Sequence, residues 1–360
     1  MFASQDIVQI FFPHRLQSYE LDAFLAEGWF RSCTSMYRSQ IICMDEDVFS
    51  VVNIRLPLDN YQIKKSLRKN YRKIQDHFRT VVRPAAVDAE KEALYQTHKN
   101  RFKGFIFNDL QTYLYANNNT QNIFETYEVA VYDEQEKLVA VSFFDIGKNS
   151  VASIIGLYDQ SYSNYSLGLY TMLYEIQHAK ELAITYYYPG YVFHTPSVFD
   201  YKLRLGNYEY YDWQGNWLPY EHAKQASWTA DVIKEKIQLL TSTLQREGIR
   251  FHQYLYPLFS FGYLEAFQEF EFVKEVLLLQ VFPTISTRST KYFIAYLPEK
   301  KTYRYFSTEV FVLADLLGIP QSDYQFNEAL YFADPLCYTD LVLESQQLSL
   351  FVEEMKRVLC

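Results

Sequence analysis

Cysteine is scarce and scattered. Cys33, Cys43, Cys337 and Cys360 include no CxxC pair, which argues against a disulfide framework and a cysteine-only zinc site and makes a reducing cytoplasm the expected home. No apolar run approaches the roughly 20 residues that span a bilayer. The opening MFASQDIVQIFFPHRL has no basic segment followed by a long apolar core, so neither a signal peptide nor a membrane partner is expected. No Ser-His-Asp arrangement and no internal repeat is discernible. What remains is a chain of 360 residues, 49% hydrophobic, globular and long enough for two or three domains. Its 33 Tyr and 28 Phe fit a codon bias, which does not account for the local cluster Tyr186 to Tyr191.

Charge is uneven. The whole chain carries −9, yet Lys64, Lys65, Arg68, Lys69, Arg72, Lys73, Arg79 and Arg83 face only Asp76 within about twenty residues. A basic block on an acidic protein steers a polyanion to one place. Ile63, Leu67, Tyr71, Ile74 and Phe78 step by three or four, one helical face over 62–78, and the basic pairs step by four beside it. That helix has a core side and a polyanion side.

The stretch 166–202 carries the densest signal. Ser166-Leu167-Gly168 ends a loop and frees backbone N–H groups at a helix start, where a phosphate or oxyanion is favoured. Leu169, Leu173, Ile176 and Leu182 give the helix its apolar period, with Glu175, Gln177, His178, Lys180 and Glu181 among its polar remainder. Tyr186-Tyr187-Tyr188 then forms a strand that Pro189-Gly190 cannot continue, so the chain splays and tyrosines line the gap.

Around that stretch, helices are expected over 18–27, 88–100 (capped by Asp88) and 108–115. Strands are expected over 40–43, 48–56, 124–132, 138–146 and 151–158, the last three as an antiparallel meander after a polar loop at Asn117 to Thr120. Beyond 217 come a helix over 231–247, strands over 275–282, 292–297 and 302–306, and helices over 308–317 and 344–359. The resulting division is a lobe with the basic helix at 1–84, a transferase-type domain at 85–225 and a C-terminal α+β region at 226–360. Three meandering strands, a helix and a splayed strand follow the order of the GNAT acyltransferase fold, so the class is α+β and GNAT-like.

Seven motifs in order resemble the arginyl- and leucyl-tRNA-protein transferases, whose fold looks like a duplicated GNAT. Gly28-Trp29-Phe30-Arg31-Ser32 with Tyr37-Arg38 resembles GWRRS and YRP, and Ser66-Leu67-Arg68-Lys69-Asn70 a basic RRN helix. Leu94-Tyr95, Val139-Ala140-Val141 with Asp145, and Leu157-Tyr158-Asp159 resemble LYxxY, VAVGxxD and YYDP. Ser166-Leu167-Gly168 with Tyr170 resembles SLGxY; Tyr187, Tyr188, Gly190, Tyr191, Pro196, Tyr201 and Lys202 resemble YYLGYYI, P and YK. The resemblance covers roughly residues 20 to 217. Two departures stand out: the family's cysteine cluster after YRP is reduced to Cys43, and one thiolate cannot hold a cluster; Ser39 and Gln160 replace prolines.

The resemblance implies aminolysis of the ester that joins arginine or leucine to tRNA, by the α-amine of an acceptor protein. Such a site needs orientation, an oxyanion donor and a proton acceptor. Asp159 is the expected proton acceptor, and Tyr187, Tyr188 and Tyr191 would stack the terminal adenine or donate a hydroxyl. Ser166, Leu167, Gly168 and Tyr170 would supply donors. Gly190, Tyr191 and Tyr201 would line the cleft, and Arg31, Arg38 and Lys202 would pair with an acidic side chain or phosphate. Lys64, Lys65, Arg68, Lys69, Arg72 and Lys73 would contact tRNA, and no metal or cofactor is expected beyond the aminoacyl-tRNA co-substrate. Two rivals stay open: a GNAT enzyme using acyl-CoA or cell-wall peptide, although Asn164 to Gly168 offers one glycine where a pyrophosphate loop would offer more, and a non-catalytic tRNA- or protein-binding relative.

Overall fold

The computed structural model describes residues 6–101, 107–116, 123–264, 269–282, 290–311 and 327–359. By internal contacts the chain divides into two compact units, one of residues 10–38 and 51–226, the other of residues 1–9, 39–50 and 227–360. Residues 10–38 and 51–84 therefore pack with 85–226 instead of forming a lobe of their own. No helix among the described residues is long and apolar enough to cross a membrane.

The first unit is built on one sheet. Its strands lie in the order Trp217–Pro219, Glu209–Tyr211, residues 51–57 of Asp47–Pro57, Tyr186–Tyr188, Ser150–Tyr158, Leu138–Ile146, Thr126–Tyr132 and Arg79–Pro84. The expected meander is present, antiparallel throughout, and Tyr186–Tyr188 joins it in parallel. Helix, meander and parallel strand make the fold α+β with the GNAT-like order. Because side chains alternate across a strand, Ala130, Val141, Phe143, Ile155 and Leu157 face helices Ala89–His98 and Leu110–Tyr115 on one side. Helix Ser18–Ala26 covers Ala152 and Tyr188 on that same side. Helix Leu167–Glu181 packs on the other, with the basic helix Lys65–His77 beside it.

Asp88 caps its helix as expected, accepting from the Lys91 amide. Strand Arg79–Pro84 was not anticipated: it is an edge strand whose exposed arginines pair with Glu136 and with the buried Glu128, and such edges carry charge in place of alternation. The expected loop at Asn117 to Thr120 lies outside the described residues.

The second unit holds a five-stranded antiparallel sheet of Phe251–Leu255, Leu277–Val281, Lys291–Leu297, Thr302–Val310 and Leu336–Ser345, with helices Thr229–Arg246 and Leu348–Leu359 packed on it. Two of these strands, Phe251–Leu255 and Leu336–Ser345, carry too many polar residues to read as strands. The helix expected over 308–317 is corrected at its start, where Thr308 to Val310 continue a strand; residues 312–317 are outside the described ones. Where the resembling family carries cysteines, Ile41–Met44 pairs back on Asp47 to Ser50. Asp45 and Glu46 turn the hairpin at φ 51° and 64°, the left-handed pair of a type I′ turn. Burial pushes the Cys43 thiol up to about 12, with Asp47 adding to the shift.

One ion pair pins the first unit's sheet to its N-terminal hairpin. Phe30–Ser32 pairs with Ser35–Ser39, and from it Arg31 reaches Asp145 Oδ1 and Thr126 Oγ1, each at 2.8 Å. The same guanidinium donates to the Cys33 carbonyl at 2.7 Å and to the Leu114 carbonyl. Both side chains are buried; desolvation raises the Asp145 pKa and Arg31 pulls it back. Removing one member of such a pair leaves a buried charge unanswered. Arg31→Met should therefore destabilise the protein by about 3–5 kcal/mol, read as a lower denaturant midpoint at pH 7. An unchanged midpoint would mean that the guanidinium is free for ligands.

Candidate active site

Strands Ser150–Tyr158 and Tyr186–Tyr188 run side by side for three pairs only, Ser150 with Tyr186, Val151 with Tyr187 and Ala152 with Tyr188. Pro189 has no N–H to donate, and Gly190 turns at φ +84°, a conformation that favours glycine. The chain then crosses to pair Tyr191, Val192 and Phe193 with Asn53, Val52 and Val51. Among the described residues the edge from Ser153 to Tyr158 is left without a strand partner. A wedge opens there. A bulge sits just past its vertex, because Ser153 pairs with Phe144 and Ile155 with Phe143, which leaves Ile154 as the extra residue; bulges re-aim the backbone and recur beside active sites.

Inside the vertex lies a carboxylate. Glu175 is fully buried on helix Leu167–Glu181, and Tyr187 donates its hydroxyl to Glu175 Oε2 at 2.6 Å. Desolvation raises its pKa to about 7, against opposing interactions with Ser142, Tyr187 and Ser153. The remaining oxygen, Oε1, has no hydrogen-bond partner, and neither have Ser142 Oγ and Tyr208 Oη. Ser142 is thus near the carboxylate without hydrogen-bond geometry. At the mouth, Lys202 donates to the Tyr191 carbonyl at 2.9 Å. Its ammonium lies 5.4 Å from the Tyr191 ring and 5.1 Å from the Phe199 ring, and desolvation lowers its pKa to about 8. It remains mostly charged at neutral pH. Exposed Tyr201 adds a phenol to this rim.

The wedge gathers Tyr187, Gly190, Tyr191, Tyr201 and Lys202 of the expected site residues. Tyr188 is on the opposite face, in the core with Trp29 and Ala152, its ring 5.6 Å from Trp217; alternation along a strand requires this of one of two neighbours. Tyr170 is spent on structure: buried, its hydroxyl 2.8 Å from Thr80 Oγ1. The amides of Leu169 and Tyr170 both donate to the Ser166 carbonyl, so Leu167 and Gly168 are the donors that the helix start offers. Arg31 belongs to its buried ion pair. Arg38 is buried too, donating to the Glu27 carbonyl at 2.9 Å and stacked over Trp29.

Asp159 does not suit the role of proton acceptor. It caps the turn through the Ser161 amide and holds Lys137 at 2.7 Å. The Lys137 hydrogen bond, then that of Ser161, brings its pKa down to about 2. A carboxylate that acidic holds no proton near pH 7. Glu175, Ser142, Ser153 and Tyr208 were missed. A signal for Glu175 existed: Gly168, Thr171, Glu175 and Ala179 step by three and four, the small-residue face that lies against a sheet, with one acid in it.

The basic helix is oriented as its pattern requires. Leu67, Tyr71 and Ile74 are buried, whereas Lys64, Lys65, Arg68, Lys69, Arg72 and Lys73 are all exposed. Tyr71 packs at 5.2 Å on Tyr170, and Asn70 donates to the Tyr165 carbonyl in the loop before the wedge helix. A polyanion-attracting stripe therefore rides on the wedge helix. Among the described residues no group of His, Cys, Asp and Glu side chains is arranged to hold a metal ion.

Residues 90–212, which contain the whole wedge, match the family model for the C terminus of arginine-tRNA-protein transferase. A Leptospira interrogans protein named aspartate/glutamate leucyltransferase is 26% identical over 195 residues, 53% of this chain and 74% of that one. A Campylobacter jejuni protein of the same name is 31% identical over 173 residues, 46% of this chain and 69% of that one. Among solved structures, L-PGS from Bacillus licheniformis aligns at a TM-score of 0.33 and 13% identity, over 43% of this chain and 56% of that one. With the wedge inside the matched region, the chain belongs to the arginyl- and leucyl-tRNA-protein transferase family and is an enzyme of the acyltransferase class.

Proposed function

We propose that this transferase moves leucine from charged tRNA to the N-terminal α-amine of acceptor proteins that begin with an acidic residue. The observation that carries the reading is the stripe of six exposed cations on a helix packed against the wedge helix. A tRNA acceptor arm held along Lys64 to Lys73 would present its 3′ end to a gap edged by aromatic rings. The relatives named aspartate/glutamate leucyltransferase support leucine as donor and acidic N-termini as acceptors. In the wedge, the amides of Leu167 and Gly168 would receive the terminal phosphate or the oxyanion, and Tyr191 and Tyr201 would stack the terminal adenine. Lys202 fits the acceptor's acidic side chain, being a desolvated ammonium with a carbonyl as its hydrogen-bond partner. An aminoacyl ester is already activated, so the reaction calls on no cofactor besides the tRNA itself, and its place is the cytoplasm, where charged tRNA is found.

Purified protein incubated with leucyl- or arginyl-tRNA and peptides beginning with Asp, Glu or Ala should transfer leucine to the acidic pair. Transfer of arginine instead would overturn the donor assignment; tRNA binding without transfer of either would overturn the catalytic one. Replacing Lys65 or Lys69 by Gln should weaken tRNA binding modestly and lower the slope of log K against log salt by about 0.9 per lost phosphate contact. Lys202→Met should raise KM for Asp and Glu peptides about tenfold, roughly 1.4 kcal/mol, with kcat little changed. Equal effects on the Ala peptide would assign Lys202 to the tRNA instead.

A further inference from the structure

We propose that Glu175 takes the proton from the attacking α-ammonium, that the Ser153 hydroxyl passes it across the vertex of the wedge, and that Tyr187 holds the carboxylate in position. The inference rests on the transferase reading above.

Three other fully buried carboxylates in the described residues each answer a cation. Asp145 pairs with Arg31, Glu128 with Lys91 and Arg83, and Glu275 with Arg304. Glu175 meets a phenol instead. Around the Glu175–Tyr187 pair, Glu175 Oε1, Ser142 Oγ and Tyr208 Oη lack hydrogen-bond partners. A buried polar atom left unsatisfied is destabilising, so three of them around one acid–phenol pair are not a packing solution. They describe a place kept for something polar that enters.

Position supports the same role. The ladder's last pair is Ala152 with Tyr188, so Ser153 is the first residue that the wedge uncovers. Its side chain lies near both Glu175 and Tyr187, outside hydrogen-bond geometry with the carboxylate, and Ser153 itself is partly exposed. A hydroxyl that gives one proton as it receives another can connect a half-open gap to a closed acid. The groups facing Glu175 are Ser142 and Ser153 from the meander, Tyr187 from the parting strand and Tyr201 beyond it, with Tyr208 against Tyr187. The cations and other acids of its own helix are engaged elsewhere: His178 against Phe144 and Glu181, Lys180 with the Tyr61 carbonyl.

The step balances as follows. The α-ammonium gives one proton through Ser153 to the Glu175 carboxylate, and the free amine attacks the ester carbonyl. The C–N bond forms and the ester C–O bond breaks. The departing ribose oxygen takes a second proton from the nitrogen, and Glu175 releases its own to solvent, so one proton is freed per turnover.

Only the ionised carboxylate can accept, and its pKa is raised to about 7. The rate at saturating substrate should therefore fall tenfold per pH unit below about 7. Single-turnover transfer is measured between pH 5.5 and 8.5 for the wild type, Glu175→Gln and Tyr187→Phe, with tRNA binding and thermal melting as controls. We expect Glu175→Gln to bind tRNA normally, to lose about 10²- to 10⁴-fold in rate and to lose the acid limb. Tyr187→Phe should lose about tenfold and move the limb to higher pH, because a hydrogen bond to the charged form is gone. A Glu175→Gln variant within threefold of wild type, or one slowed with its acid limb in place, overturns the role while leaving the transferase reading intact. A wild-type protein that transfers no amino acid overturns that reading and this role with it.

Discussion

Pro189 and Gly190 set a limit on one strand pair, and the rest of the site depends on it. A parallel ladder needs a donor at every second position of each strand; Pro189 offers none, and Gly190 at φ +84° turns the chain away. The two strands must part after Tyr188. From the vertex at Ser153 the uncovered edge runs outward for five residues, about 17 Å. The chain turns at Asp159 to Ser166 and comes back as a helix in which Glu175 lies eight residues, about 12 Å, from Leu167. The return leg thus sets the helix start at the mouth and its acid near the vertex. Both placements follow from where the ladder stops.

Desolvation then tunes what the geometry has gathered. Burial penalises whichever form is charged, so it raises Glu175 to about 7 and lowers Lys202 to about 8. An acid and a base are moved toward each other and toward neutrality. For aminolysis this is useful, since the nucleophile must be a neutral amine derived from an ammonium of ordinary pKa near 8. Asp159 lies outside this effect: two strong donors and a partly exposed position keep it ionised. Of two carboxylates near the wedge helix, only the desolvated one can exchange a proton near neutral pH.

Much of this was legible in the residues. The four-residue step of Lys64 to Lys73 beside Leu67, Tyr71 and Ile74 fixes both faces of the basic helix, because amphipathicity is a property of spacing alone. The meander and the break at Pro189 are equally local. Directions were less accessible. A motif match locates Arg31, Tyr170 and Asp159 near a cleft, yet whether each side chain turns into the gap or into a partner depends on residues up to 114 positions away, as Arg31 and Asp145 are. Glu175 was read as one polar residue among several on its helix, since burial of an acid against a sheet appears only when the sheet is built. The edge strands Arg79–Pro84 and Leu336–Ser345 escaped for a related reason: one rim of each faces water, so neither needs an alternating pattern.

The second unit supplies a comparison within the same chain. It repeats an order of helix, strand, spacer and three-strand meander, in Thr229–Arg246, Phe251–Leu255 and the strands from Leu277 to Val310. Its next neighbour differs in direction. Leu336–Ser345 is antiparallel and pairs with Thr302–Val310 from Tyr303 with Ser345 to Val310 with Leu336, so no wedge opens on that edge. There the buried acid, Glu275, takes Arg304 at 2.7 Å and the Tyr338 hydroxyl as partners. Against the closed edge Glu275 is neutralised by Arg304, and at the parted edge Glu175 is held by the Tyr187 phenol. The vertex of the wedge is thus where the first unit keeps a fully buried carboxylate without a cation, beside the edge that a ligand can reach.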